Sequence, residues 1–116
     1  MALNPDQKTE ARQIAKELAA IARSGKILPG TITSRLTHCG RPGCKCMGDP
    51  PQPHGPYWQW TRKVAAKTVG RWLNAQQAAD YQPWIDNHHR ARELLTRLEA
   101  IGIAALDADP RHTRRP

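Results

Sequence analysis

The chain has 116 residues, with 18 lysines and arginines against 10 acids, a formal net charge of +8 and no phenylalanine. That length allows one domain and leaves little room for a large enzyme cleft beside its core. No apolar run approaches the ~20 residues of a membrane-spanning helix, and the N-terminus has no signal pattern. We therefore expect a cytoplasmic protein with no membrane partner.

The first predicted element is a helix over about residues 5–24. Asn4 is a favourable N-cap, Gln7 stands at the position of a capping-box partner, and Gly25 suits a left-handed C-cap. Apolar residues recur at three- and four-residue steps between residues 11 and 22. This spacing is typical of one buried helical stripe.

Three strands are predicted next. The β-branched run at residues 31–37 is typical of a strand, and two more strands are expected at 57–62 and 68–73. The last two flank a basic connection, residues 63–67, and resemble a hairpin without a tight Asn-Gly turn. Trp58, Trp60 and Trp72 are interpreted as core, because a chain without phenylalanine needs tryptophan for aromatic bulk.

A second helix is predicted from Ala75, after an N-cap pair formed by Asn74 and Gln77, with Pro83 kinking or dividing it. Its apolar stripe runs through Trp84, His88, Ala91, Leu95 and Leu98. We expect residues 1–106 to form one domain and residues 107–116 to form a disordered basic tail. The predicted fold class is α+β, a small three-stranded antiparallel sheet with a cysteine-rich zinc knuckle, flanked by an N-terminal and a long C-terminal helix.

The cysteines lie close together in the chain. Cys39, Cys44 and Cys46 fall within eight residues, and His54 follows in the same knuckle, residues 39–56. An odd, clustered set in a cytosolic chain favours metal over disulfides, and Cys3His is a common structural zinc set. We therefore predict a structural Zn²⁺ held by these four residues, with His38 as the alternative fourth ligand. The other interpretation is three reduced cysteines in a turn.

Catalysis is not expected at this cluster. A catalytic zinc ion needs an open position and a nearby acid as general base, whereas the only acid close by is Asp49 and no HExxH pair is present. We predict no catalytic residue, no small-molecule substrate and no enzyme activity. A cysteine nucleophile with His54 as its base is the remaining alternative.

The run THCGRPGCKC (residues 37–46), followed by HGPYW (residues 54–58), resembles a family of small uncharacterised prokaryotic proteins with a CG-x-x-x-C-x-C…HGPY signature. The run KTVGR (residues 67–71) is similar to a strand that precedes a long charged helix in that family. The resemblance covers residues 30–100. It implies a metal-stabilised, DNA-associated domain of unknown function, often encoded near mobile elements, and no enzyme activity.

The positive charge is concentrated in one part of the chain. Residues 18–79 hold nine bases and one acid, Asp49, so nine minus one accounts for the whole net charge of +8. Such a stretch indicates an anionic partner, and nucleic acid is the usual one. The expected nucleic-acid contacts are the bases of the sheet and knuckle with one tyrosine: Arg35, Arg41, Lys45, Tyr57, Arg62, Lys63, Lys67 and Arg71.

Two functions follow from these patterns. The first is a zinc-stabilised nucleic-acid-binding accessory module that uses its basic β-hairpin, with DNA as the expected nucleic acid. The alternative is a protein-interaction adaptor or antitoxin-like partner that forms a homodimer through the helical stripe at 84–101 and presents its basic face to an acidic protein.

Overall fold

The computed structural model describes residues 3–111. The elements are α1 Pro5–Ser24, β1 Thr31–Thr37, a 3₁₀ turn Lys45–Met47, β2 His54–Val64, β3 Lys67–Leu73 and α2 Ala75–Asp107. The strands form one antiparallel sheet in the order β1-β2-β3. The predicted α+β class is confirmed. Within the described range, no helix is long and apolar enough to cross a membrane.

Both helices begin at the predicted caps. The Gln7 backbone N–H donates to Asn4 Oδ1 at 2.8 Å, and the Asn4 N–H donates to Gln7 Oε1 at 3.0 Å. Asn74 and Gln77 repeat this pair at 2.7 and 2.9 Å. Gly25 ends α1 with φ 67°, a left-handed conformation that glycine adopts without steric cost.

The chain divides into two compact units. The helical unit comprises Met1–Ile27 and Asn87–Pro116, and the sheet unit comprises Leu28–Asp86. Each unit contains part of α2.

In the helical unit, the core lies between α1 and the later part of α2. Ile14, Leu94 and Ile101 are buried, and Leu18 and Leu98 pack against them. The predicted apolar stripe is wrong at Leu95, whose side chain is 45% exposed. The neighbouring residue Leu94 is the one that is buried in the core. Successive residues of a helix point about 100° apart, so an error of one position turns a side chain from the core to solvent.

In the sheet unit, no strand residue is fully buried. Trp58 and Trp60 are half-buried, and the Trp60 Nε1–H donates to the Pro29 carbonyl at 2.8 Å. The interpretation of Trp72 as core is wrong, because its side chain is 57% exposed. Trp72 pairs with Gln59, which places it on the face opposite to Trp58 and Trp60.

The hairpin turn is tighter than predicted. Val64 pairs with Lys67, so only Ala65 and Ala66 connect β2 and β3. Their φ angles are 50° and 66°, and positive values at both central residues are typical of a type I′ turn. The sequence indicated no tight turn because alanine is not a residue that favours this conformation.

Pro83 lies inside α2 and does not divide it. The proline lacks an N–H, so the Ala79 carbonyl loses its partner within the helix. Both residues are exposed, and water can bond to that carbonyl. Of the predicted disordered tail, Asp107 is the last residue of α2, and residues 112–116 lie outside the described residues.

Candidate metal centre

The three cysteines and His54 converge on one point. Their ligand atoms all lie within 4.8 Å of one another. The Sγ atoms of Cys39 and Cys46 are 3.5 Å apart, and Cys44 Sγ lies 3.2 Å from His54 Nε2. In a tetrahedral site with Zn–S distances of about 2.3 Å, sulfur atoms lie about 3.8 Å apart. The spacing therefore suits four ligands around a single ion, and these residues could hold a metal.

A short helical turn positions the later cysteines. The Met47 N–H donates to the Cys44 carbonyl at 3.0 Å, and the N–H groups of Gly48 and Gln52 donate to Lys45. Cys46 is buried within this turn. In an extended backbone, Cys44 and Cys46 would project to the same side because they are two residues apart. These hydrogen bonds instead coil the chain, and the two sulfur atoms still reach one centre.

Gly55 places His54 beside β1. His54 pairs with Thr37 at the end of β1, and Gly55 follows with φ 121°. A Cβ at this position would lie 2.8 Å from the Arg35 carbonyl oxygen and 2.9 Å from the Tyr57 nitrogen. Only glycine lets β2 approach β1 this closely next to the histidine.

His38, the alternative fourth ligand, does not bring a ring nitrogen to the converging cysteines. Its Nδ1–H donates to the Cys46 carbonyl at 2.7 Å, and it is not among the four converging residues. The Cys39 backbone N–H donates to Cys46 Sγ at 3.4 Å. Hydrogen bonds of this kind hold metal ligands in position without binding the metal themselves. His38 therefore supports the loop that carries Cys46.

The local electrostatics favour the thiolate form of Cys39. Hydrogen bonding to the Arg41 backbone, and then to the His54 and Cys46 side chains, lowers the pKa of Cys39 to about 6. For Cys46, the bond from the Cys39 backbone lowers the pKa. Burial and the neighbouring Cys39 and Cys44 thiols outweigh it, so the pKa of Cys46 is raised. The thiolate is the metal-binding form, and a bound cation favours deprotonation of the remaining thiols.

The eight predicted nucleic-acid contacts lie on several surfaces. Strand register and alternation place Arg35, Tyr57 and Lys63 on one face of the sheet, which we call the open face. The same register places three of the bases on the opposite face: Arg62, Lys67 and Arg71. The hairpin bases therefore do not form one continuous patch.

The two contacts predicted in the knuckle are both exposed. Lys45 lies in the 3₁₀ turn. Arg41 lines an open hollow of about 410 Å³, together with residues of the metal group and of both adjoining strands: Thr37, Cys39, Cys44, His54 and Tyr57. Arg41 thus borders the same hollow as the metal group and as Tyr57 of the open face.

Sequence reasoning missed Trp72 as a surface aromatic. Its ring centroid lies 6.1 Å from that of Tyr57 at an interplanar angle of 72°. The missing signal was the two-residue turn at Ala65 and Ala66. Once Val64 is paired with Lys67, counting back pairs Gln59 with Trp72 and assigns its face.

Ion pairs distinguish the sheet unit from the helical unit. All four ion pairs found in residues 3–111 join residues of the helical unit. Residues 31–73 hold seven bases and one acid, Asp49. Within the described part of the chain, none of those seven bases is paired with an acid.

Comparison with known proteins gives one family and no individual relative. No curated protein and no solved structure matches the chain significantly. A family model described as a domain of unknown function (DUF6788) matches residues 6–82, which is more than half of the chain. That match begins in α1 and ends in α2, and it includes the sheet and all four converging metal-binding residues. The chain belongs to the DUF6788 family.

Proposed function

We propose that this chain is a nucleic-acid-binding module whose sheet unit is stabilised by zinc. The observation that carries the proposal is the set of seven bases against one acid in residues 31–73, with no ion pair to those bases in the described structure. Basic side chains that form no ion pair leave a positive electrostatic field, and this field attracts a polyanion. When such side chains neutralise phosphates, counterions are released from the nucleic acid.

Zinc is the metal that best suits the four ligands. Three thiolates and one imidazole form a closed Cys3His set, which is typical of structural zinc. When bound, the ion supplies a cross-link between the end of β1, the knuckle and the start of β2. We propose no catalytic role, since Asp49 is the one acid in residues 31–73.

DNA remains the expected nucleic acid. The expectation rests on the resemblance to prokaryotic proteins encoded near mobile elements, together with the basic charge. The charge itself attracts DNA and RNA alike.

The test is the salt dependence of binding. Lys63→Gln, Lys67→Gln and Arg71→Gln, combined in one variant, remove bases from both faces of the hairpin. We expect the slope of log K against log salt to become shallower by up to about 3, because each lost phosphate contact contributes about 0.9 on a duplex. Fluorescence anisotropy with a random-sequence duplex, and with one of its strands alone, measures the slope.

The matched control removes the same charge from the helical unit. Lys8→Gln, Arg12→Gln and Lys16→Gln in one variant should leave the slope unchanged. If the hairpin variant keeps the wild-type slope, or if the wild-type chain binds neither probe at low salt, the proposal is wrong.

A second function is favoured by exposed apolar residues on α2. Leu95, Ile103 and Leu106 are 45%, 61% and 74% exposed and could form the contact of a homodimer or of a protein-interaction adaptor. Light scattering after gel filtration would report a dimer, and Leu106→Glu should dissociate it. A stable dimer without nucleic-acid binding would favour this function over the first.

A further inference from the structure

An exposed aromatic pair lies at one end of the open face. Tyr57 is 45% exposed and Trp72 is 57% exposed, with their ring centroids 6.1 Å apart. Arg35 is the pairing partner of Tyr57, and Gln59 is that of Trp72. Large aromatic side chains usually bury their rings, so two neighbouring exposed rings offer surfaces for stacking.

The rest of the open face is neutral or basic. Register places four threonines and one glycine there: Thr31, Thr33, Thr61, Thr68 and Gly70. Lys63 lies at its far end, about 20 Å from Tyr57 at about 3.4 Å per residue. Among the described strand residues, none on this face is acidic.

The open face continues to the metal group. Tyr57 belongs both to this face and to the hollow that Arg41 and the metal group line. The basic side chains near the rings are therefore Arg35, which pairs with Tyr57, and Arg41, which lines the same hollow as Tyr57. A surface that has aromatic rings near basic side chains fits a nucleic-acid strand, in which nucleobases alternate with phosphates.

We propose that the open face binds single-stranded nucleic acid, with unpaired bases stacked on Tyr57 and Trp72 and phosphates at Arg35, Arg41 and Lys63. This inference rests on the proposed function and names the form of nucleic acid that the site takes. In a duplex, each base is already stacked on its neighbours and would have to unstack, at a cost in free energy, before it could lie on a protein ring. A duplex would therefore use only the positive charge of this surface.

The experiment compares three probes on the full chain loaded with zinc. These are oligothymidine, oligouridine and a duplex, each about 20 nucleotides long, which exceeds the site size of a small single-strand-binding fold. At one salt concentration we expect a single strand to bind at least about tenfold more tightly than the duplex. The tighter of the two single strands identifies DNA or RNA as the ligand.

The aromatic variants test the stacking directly. Tyr57→Ala and Trp72→Ala should each weaken single-strand binding roughly tenfold, with the salt slope unchanged, because each loses a stacked base and no phosphate. Trp72→Phe keeps an aromatic ring and should retain most of the affinity. Val69→Ala is the matched control, since Val69 is 41% exposed on the opposite face, and it should bind like wild type.

Zinc content is measured for every variant. If Tyr57→Ala loses zinc because it adjoins the metal group, Trp72→Ala and Trp72→Phe carry the test.

The outcomes separate this inference from the proposed function. If the chain binds with a salt-dependent affinity but prefers duplex, or if Trp72→Ala binds single strands like wild type, the inference is overturned and the proposed function stands. If neither single strand nor duplex binds, both are overturned.

Discussion

The helical unit and the sheet unit use different means of stabilisation. The helical unit buries Ile14, Leu94 and Ile101 against one another, and its charged residues form ion pairs such as Arg90 with Glu17. The sheet unit has no fully buried strand residue, and its bases find no acid in the described structure. The strands of the sheet unit therefore leave many of their side chains to solvent and ligands. The buried residues of that unit lie outside the strands: Cys46, Ala78 and Ile85.

This difference indicates what the sheet unit needs. A three-stranded sheet that buries no strand residue fully gains less from the hydrophobic effect, and small domains of this kind usually require a disulfide, a metal or a partner. Cys46 is the buried residue of the knuckle and belongs to the converging group. We therefore expect metal binding to stabilise the sheet unit far more than the helical unit.

The largest expected effect is loss of the metal. Cys44→Ser, or a chelator added to the native chain, should abolish protection from hydrogen exchange in residues 31–64 while the segment around Leu94 keeps its protection. Apparent binding free energies of structural zinc in small peptides are about 10–16 kcal/mol. If the sheet unit lost a contribution of this size to its folding free energy, it would unfold. Hydrogen exchange read by mass spectrometry, with zinc content measured in parallel, gives the result.

His38→Ala is the control for this prediction. His38 donates to a backbone carbonyl and lies outside the converging group, so its replacement should weaken metal binding by no more than about 10–100-fold and leave one metal per chain when zinc is in excess. Equal loss of protection in both units after chelation would show that they do not differ in their dependence on metal.

The next effect lies in the core of the helical unit. Leu94 is 0% exposed, and Leu94→Ala should cost about 2–5 kcal/mol of unfolding free energy through lost burial and the remaining cavity. Leu95→Ala, one position along and 45% exposed, should cost less than about 0.5 kcal/mol. Urea denaturation followed by helical circular dichroism measures both. A larger cost for Leu95→Ala than for Leu94→Ala would place the core on the predicted stripe, and equal costs would contradict the difference in burial.

Much of the fold could be predicted because its signals are local. The Asn4 and Asn74 caps, the left-handed Gly25 and the strand-forming run of β1 depend on residues within a few positions, and the structure confirms them. Leu94 could not be distinguished from Leu95 by spacing, since both fit a helical repeat. The choice depends on how α1 packs, which is not a local property.

The candidate metal group could also be predicted, because three cysteines and one histidine lie within sixteen residues of the chain. The prediction named His54 as the fourth ligand, but the sequence left His38 as the alternative. The choice between them depends on strand register and on the close approach that Gly55 permits. The surface position of Trp72 was missed for a related reason, because its face follows from a turn whose alanines gave no signal.

The same substitution should have opposite effects in the two units. Ala66→Gly should stabilise the protein by about 0.5–1 kcal/mol, because Ala66 has φ 66° and glycine adopts positive φ without strain. Ala100→Gly should destabilise it by about 1 kcal/mol, since Ala100 is an exposed residue inside α2, where glycine is unfavourable. Thermal unfolding of the two variants beside wild type measures the signs. Destabilisation by both would argue against the left-handed turn.

The smallest effect concerns the ion pairs of the helical unit. Arg90 Nη2 donates to Glu17 Oε1 at 2.8 Å, and this hydrogen bond holds the pKa of Glu17 below its ordinary value of 4.5. A depressed carboxyl pKa stabilises the folded state above the unfolded pKa, and that contribution disappears as the pH falls through the folded pKa.

Glu17→Gln should therefore be slightly less stable than wild type near pH 7. At an acidic pH below the lowered pKa of Glu17 the two should become equal, because the wild-type carboxyl is then protonated. Both partners are about two-fifths exposed, so solvent screening keeps the difference small. Glu99→Gln, at an acid without an ion pair in the described residues, should match wild type at both pH values. The urea midpoints are compared between the three proteins at the same pH. Metal loss in acid affects all three proteins equally, so its effect on stability drops out of the comparison. A difference for Glu17→Gln that persists in acid would mean that the side chain acts through packing and not through its charge.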